Sequence, residues 1–306
     1  MTGERAVNTV ADVSLALVLI TAAVALVATA PTEEQSNHDP AEADRTTTVV
    51  STATLHVPYS LESVVAAADT EEEYDTKALQ RVSHGTVADV VADAAVADFG
   101  CRDGDQRLTP AGAAYERAIA ERFEARFVGS NFETNVTARW EPYEGSELGG
   151  TVTVGQPVPP DTEYSSVQLS VPSGFEGVQA EGGDAVDREH DFGAVARPVA
   201  RALVEGYLPP LEAKRALEGS GLDRALTVAR YEGMAALVEG ADPTATLVTS
   251  NLDPTSADPA AVNEYLIRHL SSQIADDMAA EYDSAQAAAA GVSTAEVTVI
   301  VRTWEP

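Results

Sequence analysis

Cysteine is almost missing from this chain: Cys101 is the only one in 306 residues, so no intrachain disulfide can form and the fold must be held by its core. Lysine is nearly missing as well. Only Lys77 and Lys214 occur, the other basic residues are arginines, and 19 basic residues face 49 acidic ones for a net charge of -30. With no basic face to neutralise phosphates, the composition argues against nucleic acid as a partner. Catalytic signatures are lacking too. There is no Gly-x-Ser-x-Gly to expose a nucleophilic serine, no Gly-x-x-x-x-Gly-Lys, and no strand-linked Gly-x-Gly-x-x-Gly to cradle a phosphate. His38, His56, His84, His190 and His269 are scattered, with no pair at one-turn helical spacing and no cysteine beside them, so the sequence supports no zinc site. His84 in Ser83-His84-Gly85 reads as a capping or surface residue in preference to a general base. Acidic pairs such as Asp103 and Asp105 lack the further oxygens of a calcium loop, and Glu71–Glu73 reads as a solvated stretch. The sequence therefore assigns no catalytic, cofactor-binding or metal-ligating residue and no cofactor.

The acidic excess has a physical use. At molar salt the Debye length falls to roughly 3 Å, which screens the self-repulsion that such a charge creates in dilute buffer. An acidic, lysine-poor surface with abundant Ala and Val and little Ile suits brine; acidity without halophily is the alternative reading.

One long uncharged run is present. Val13–Ala30 holds eighteen residues with only Ser14, Thr21 and Thr29 mildly polar, long enough to cross a bilayer core as a helix. Residues 1–12 form a short tail with Arg5 and the amino terminus, which orients that end inwards and leaves the C-terminal domain outside. Removal as a secretory leader is the competing reading: Ala28-Thr29-Ala30 has the small-residue form, but Pro31 follows it and the run exceeds a leader's apolar core. Asp12 sits at the mouth of the expected helix, where the macrodipole favours a carboxylate, and serves either as an interfacial cap or as a subunit-pairing charge.

Arg5-Ala6-Val7 ahead of an apolar run, with Asp12 near its start, resembles the class III signal of archaeal type IV pilins. The resemblance covers about thirty residues. It implies trimming at Arg5, Ala6 and Val7 on the cytoplasmic side and a retained helix that packs with other subunits. The layout of the whole chain also resembles haloarchaeal proteins encoded beside type IV pilus or secretion-system genes.

Beyond the anchor, Pro31–Thr48 is polar and acidic without apolar period and predicts a flexible stalk over 31–48, with the domain occupying 49–306. Within that domain Val49–Val57 reads as a strand, Leu61–Ala68 as a short helix and Lys77–Phe99 as one helix ending at Gly100. Thr109-Pro110 opens a helix to Phe127, with Tyr115, Ile119, Phe123 and Phe127 four apart. Thr134–Trp140 is a strand, and Gly149–Val171 a hairpin turning at Pro157–Asp161. Phe192–Leu217, interrupted by Gly206 and Pro209-Pro210, and Leu222–Val238 are helical. After a proline-rich loop, Asp242–Pro259, comes the longest helix, with Val262, Leu266, Leu270, Ile274 and Met278 at four-residue steps; Glu296–Thr303 is the last strand. The strand ends at Val136–Pro142 and Val299–Pro306 share an Arg, a Trp and a closing Glu-Pro, which reads either as a duplicated helix–strand unit (near 108–142 and 260–306), placing the two strands side by side, or as chance. Asn135-Val136-Thr137 is a glycosylation acceptor triplet or a coincidence within a strand.

These observations predict an α+β fold: an N-terminal transmembrane helix, then an extracytoplasmic domain of long helices on a small, mostly antiparallel sheet. The expected role is a non-catalytic, pilin-like accessory or assembly protein with membrane lipid and pilus or secretion-system subunits as partners of its N-terminal helix. A tethered binding or adhesion module is the alternative, and an enzyme whose site is assembled from distant residues comes third.

Overall fold

Thr86 decides where the central helix begins. Its hydroxyl accepts the Asp89 backbone N–H at 3.1 Å while the Asp89 carboxylate accepts the Thr86 N–H at 3.0 Å, a reciprocal cap that starts a helix at Val87. The computed structural model of the chain describes residues 40–67, 74–102, 104, 106–127, 132–178 and 191–306, all within the unit Asn37–Pro306.

In chain order the elements are α1 (Pro40–Thr52), β1 (Thr54–Ser60), α2 (Glu62–Ala67), α3 (Thr76–Leu79), β2 (Gln80–Thr86), α4 (Val87–Ala97), β3 (Gly100–Cys101), α5 (Ala111–Phe127), β4 (Glu133–Trp140), β5 (Leu148–Gly155), β6 (Ser165–Pro172), α6 (Phe192–Tyr207), α7 (Pro210–Glu218), α8 (Leu222–Leu237), α9 (Thr246–Asn251), α10 (Pro259–Glu281), α11 (Ala285–Ala290) and β7 (Glu296–Trp304). The fold is α+β with antiparallel sheets. Among the described residues no helix is long and apolar enough to cross a membrane, and Val13–Ala30 lies outside them.

The main sheet has the order β3-β5-β4-β7-β6. Its register stacks apolar side chains in rows. Val154, Val136, Val301 and Val167 form one row and Val152, Ala138, Val299 and Leu169 the next. Helix α4 lies on this face, touching β5, β4 and β7; buried almost all round through Val87, Val90, Val91, Ala94 and Ala95, it is the pivot of the core. The approach to β5 is backbone to backbone, since a Cβ on Gly150 would stand 1.9 Å from the Ala95 carbonyl oxygen. On the other side of α4 sits the antiparallel ribbon β1–β2, which α5 also covers.

A second layer is built on α6 and α10, which pack along each other through residues such as Val199, Leu203, Leu266 and Leu270. The buried Asn263 amide donates to the Leu208 carbonyl at 2.8 Å and its oxygen accepts the Tyr231 hydroxyl at 2.9 Å, satisfying the end of α6. Four rings join the two layers: Trp140 is 4.9 Å from Phe175 and 5.6 Å from Phe99, and Tyr207 is 4.9 Å from both Phe99 and Phe175.

Six expectations need correction. The loop expected over Asp242–Pro259 contains the helix α9, Thr246–Asn251. Residues 40–48 are not stalk: they belong to α1, whose Thr46, Thr47 and Val50 share one buried face against β6, β7 and α4. The hydroxyls of Thr48 and Thr52 bond back to the carbonyls of Asp44 and Thr48. The strand expected over Val49–Val57 starts only at Thr54 and carries Pro58 inside it. The single helix over Lys77–Phe99 is the end of α3, then the strand β2 and the helix α4, the last two divided at the Thr86 cap. Strands β5 and β6 do not form a hairpin, because β4 and β7 lie between them. Gly206 does not interrupt α6; it is needed because a Cβ there would fall 2.3 Å from the Phe175 ring.

The two similar strand ends are neighbours in the sheet, as a repeat would place them, but run antiparallel with Trp304 opposite Glu133. The helices before them pack differently, α5 on β1 and α4, α10 on α6 and α7, so the likeness is confined to the strands.

Candidate functional site

The inner face of the β1–β2 ribbon, the end of α4 and the start of α5 enclose a cleft of about 440 Å³. Tyr59, Ser83, Asp93, Tyr115, Tyr207 and Arg230 line it together with apolar side chains. Tyr115 is held by strand and helix at once: its hydroxyl donates to Ser83 Oγ at 2.7 Å and its ring meets that of Tyr59 at 4.7 Å. Burial pushes the Tyr115 phenol up to about 12, so it acts as a donor and leaves Ser83 without a base in this contact. Asp93 keeps solvent contact at the mouth, and partial burial, with Asp89 nearby, raises its carboxyl above the ordinary carboxylate range. Arg230 brings the opposite charge. A second cleft of about 420 Å³ between α7 and α8 shares Tyr207 and Arg230 with the first, so the two meet at those residues. Three tyrosines, one carboxylate and one guanidinium around an open cleft are groups that bind a polar ligand by stacking and charge.

The sheet offers a different surface. Opposite α4 its rows read Thr153, Thr137, Ile300, Gln168 and Thr151, Arg139, Thr298, Ser170, with Arg139, Thr151, Thr153, Gln168 and Ser170 exposed. At one end Arg102 and Arg139 converge on the Glu141 carboxylate. Burial and the neighbouring Arg102 charge lower the Arg139 pKa. At the other end Arg302 lies 6.0 Å from the Tyr164 ring centroid. In a chain of net charge -30, these two inner rows hold Arg139, Gln168, Ile300 and hydroxyl side chains and no carboxylate.

The residues singled out in the sequence fall unevenly on this structure. Arg5, Ala6 and Val7 lie outside the described residues, as does Asp12. Asn135 is buried in β4, and its Nδ2, the atom a glycan would join, donates to the Gln156 carbonyl at 3.0 Å. Its Oδ1 accepts from Thr137 at 3.2 Å and Arg302 at 3.4 Å, so the acceptor triplet serves as a sheet contact. Cys101 is half-buried beside β5, and burial pushes its thiol up. Among the described residues no three His, Cys, Asp or Glu side chains gather as a metal site. The cleft is not legible in the sequence because its members come from six elements, one of which, the strand β2, has no apolar alternation of its own.

Residues 11–304 match DUF7284, a family of unknown function. The chain belongs to DUF7284. The DUF7284 match opens two residues before the uncharged run Val13–Ala30 and closes at Trp304, the last residue of β7, so the run and the folded unit fall inside one family unit, while Arg5, Ala6 and Val7 fall before it. No curated protein and no solved structure matches the chain.

Proposed function

We propose that the chain is a membrane-anchored, non-catalytic accessory or assembly protein of a haloarchaeal surface structure or secretion system, pilin-like at its N-terminus. Val13–Ala30 crosses the membrane, the tail with Arg5 stays inside, and the acidic unit stands outside in brine. The observation that carries this reading is the family match, which takes the membrane-length apolar run and the folded unit together. A second supports it: α1, which follows the run after residues 31–39 of the sequence, is buried against β6, β7 and α4 and so belongs to the folded unit. In this role the helix meets membrane lipid and the helices of pilus or secretion-system subunits, and trimming falls at Arg5, Ala6 and Val7.

Deleting the gene in the native host is expected to reduce surface filaments or the secreted protein set, with recovery on return of the full chain. Filaments and secreted proteins that persist unchanged after deletion count against the proposal. The cleft at Tyr59, Tyr115 and Tyr207 favours a second reading, a tethered binding or adhesion module. An unrelated single-span anchor fused at Pro40 separates the two: it restores a function residing in the outer unit, but not one exerted through the native helix.

A further inference from the structure

We infer that His56 and His84 form a two-histidine site for a divalent transition-metal ion on the outer face of the β1–β2 ribbon. Twenty-eight residues separate them in the chain (84 − 56), yet the antiparallel register makes them direct partners, with ring centroids 4.2 Å apart and planes at 83°. Directly opposed residues of an antiparallel pair carry their side chains to the same face with Cβ atoms about 5 Å apart, a spacing that lets two imidazoles share one ion. That face is open: His56 and His84 are exposed, whereas their strand neighbours Leu55 and Val57 point into the core. Among the described residues neither ring makes a hydrogen bond to the protein, so no protein group competes for their nitrogens.

The ribbon supporting them is stiff. Leu55 and Val57 are buried, the full strand length is paired, and the reciprocal Thr86–Asp89 cap fixes the end of β2 two residues beyond His84. Two imidazoles held side by side by a rigid scaffold bind a borderline metal far better than one, because the second nitrogen is already present at high effective concentration. Imidazole suits copper(II), nickel(II) and zinc(II), with copper(II) bound most tightly. As no third His, Cys, Asp or Glu joins the pair among the described residues, the remaining coordination positions fall to water or to an incoming ligand. The site lies across the ribbon from the Tyr59–Ser83 cleft, on the opposite side of both strands, and is independent of it.

The test uses the purified full-length chain titrated with copper(II). Two-imidazole coordination is read from nitrogen couplings in the electron paramagnetic resonance and echo-modulation spectra. The expected result is one ion per chain bound by two imidazoles. His56→Thr and His84→Thr, each of which keeps a good strand former, should give single-imidazole spectra and weaken binding on the order of 100-fold. His269→Ala should leave both readouts unchanged. Circular dichroism of each variant checks that the fold persists. Binding of equal strength by the His56→Thr/His84→Thr double variant, or a single-imidazole spectrum from the unmodified chain, overturns the site and leaves the pair as an edge-to-face contact that merely steadies the ribbon.

Discussion

Replacing Gly150 by valine is expected to lower the melting temperature of the full chain by roughly 6–12 °C, from a cost of about 3 kcal/mol or more. The cause is local. A Cβ at this position meets the Ala95 carbonyl oxygen at 1.9 Å, the Ala95 carbonyl carbon at 3.0 Å and the Asp98 carbonyl carbon at 3.1 Å. All three are backbone atoms of α4 or its cap, which cannot swing away as a flexible side chain does. To accept the new side chain, α4 has to lift from β5, and the contacts of Val90, Val91 and Ala94 with the sheet rows loosen with it. Gly177→Ala is the matched control, because its Cβ meets only Ala295 Cβ at an ordinary 3.6 Å. Thermal melts followed by circular dichroism should separate the two variants clearly. Equal melting temperatures would mean that α4 does not rest on β5 as described.

Trp140→Ala is expected to cost about 3–5 kcal/mol, the range for emptying a large aromatic site in a core. Trp140 is fully buried at the junction of the two layers, in contact with Phe99, Phe175 and Tyr207, so its removal opens the joint between sheet and helices instead of a peripheral gap. Trp140→Phe should cost less, about 1–2 kcal/mol. The smaller ring keeps part of the stacking, and the Thr294 carbonyl that accepts the indole N–H at 3.0 Å keeps a second donor, the Ser173 hydroxyl at 2.6 Å. Denaturant unfolding of the three proteins checks the order. If alanine and phenylalanine cost the same, the ring cluster is not what couples the layers.

How far the sequence could be read depended on whether a segment's partner was written into its own pattern. Helices α5 and α10 were legible because Ile119 and Phe123, or Leu266 and Leu270, recur at helical spacing on a face that is buried. Strand β7 alternates along most of its length, and β4 does so from Val136 to Trp140, since only one face of their sheet meets α4. The strand β2 was lost because Gln80–Thr86 has no apolar alternation of its own and becomes a strand by pairing with β1. Helix α1 was lost for the converse reason: Thr46–Val50 is β-branched, and only burial against the sheet holds it helical. The hairpin expectation failed because alternation in β5 and β6 says which face is inward but not which strand is adjacent. The same limit hid the His56–His84 pair and the cleft, which exist only once β1 and β2 are in register.

The mature N-terminus, read by mass spectrometry on protein recovered from fractionated host cells, tests the central proposal most directly. The account predicts recovery in the membrane fraction with a chain beginning at Ala6 or Val7, the apolar run retained. A chain beginning near Pro31 and recovered from the medium would contradict it, because the run that is to anchor the protein and meet its partners would have been removed.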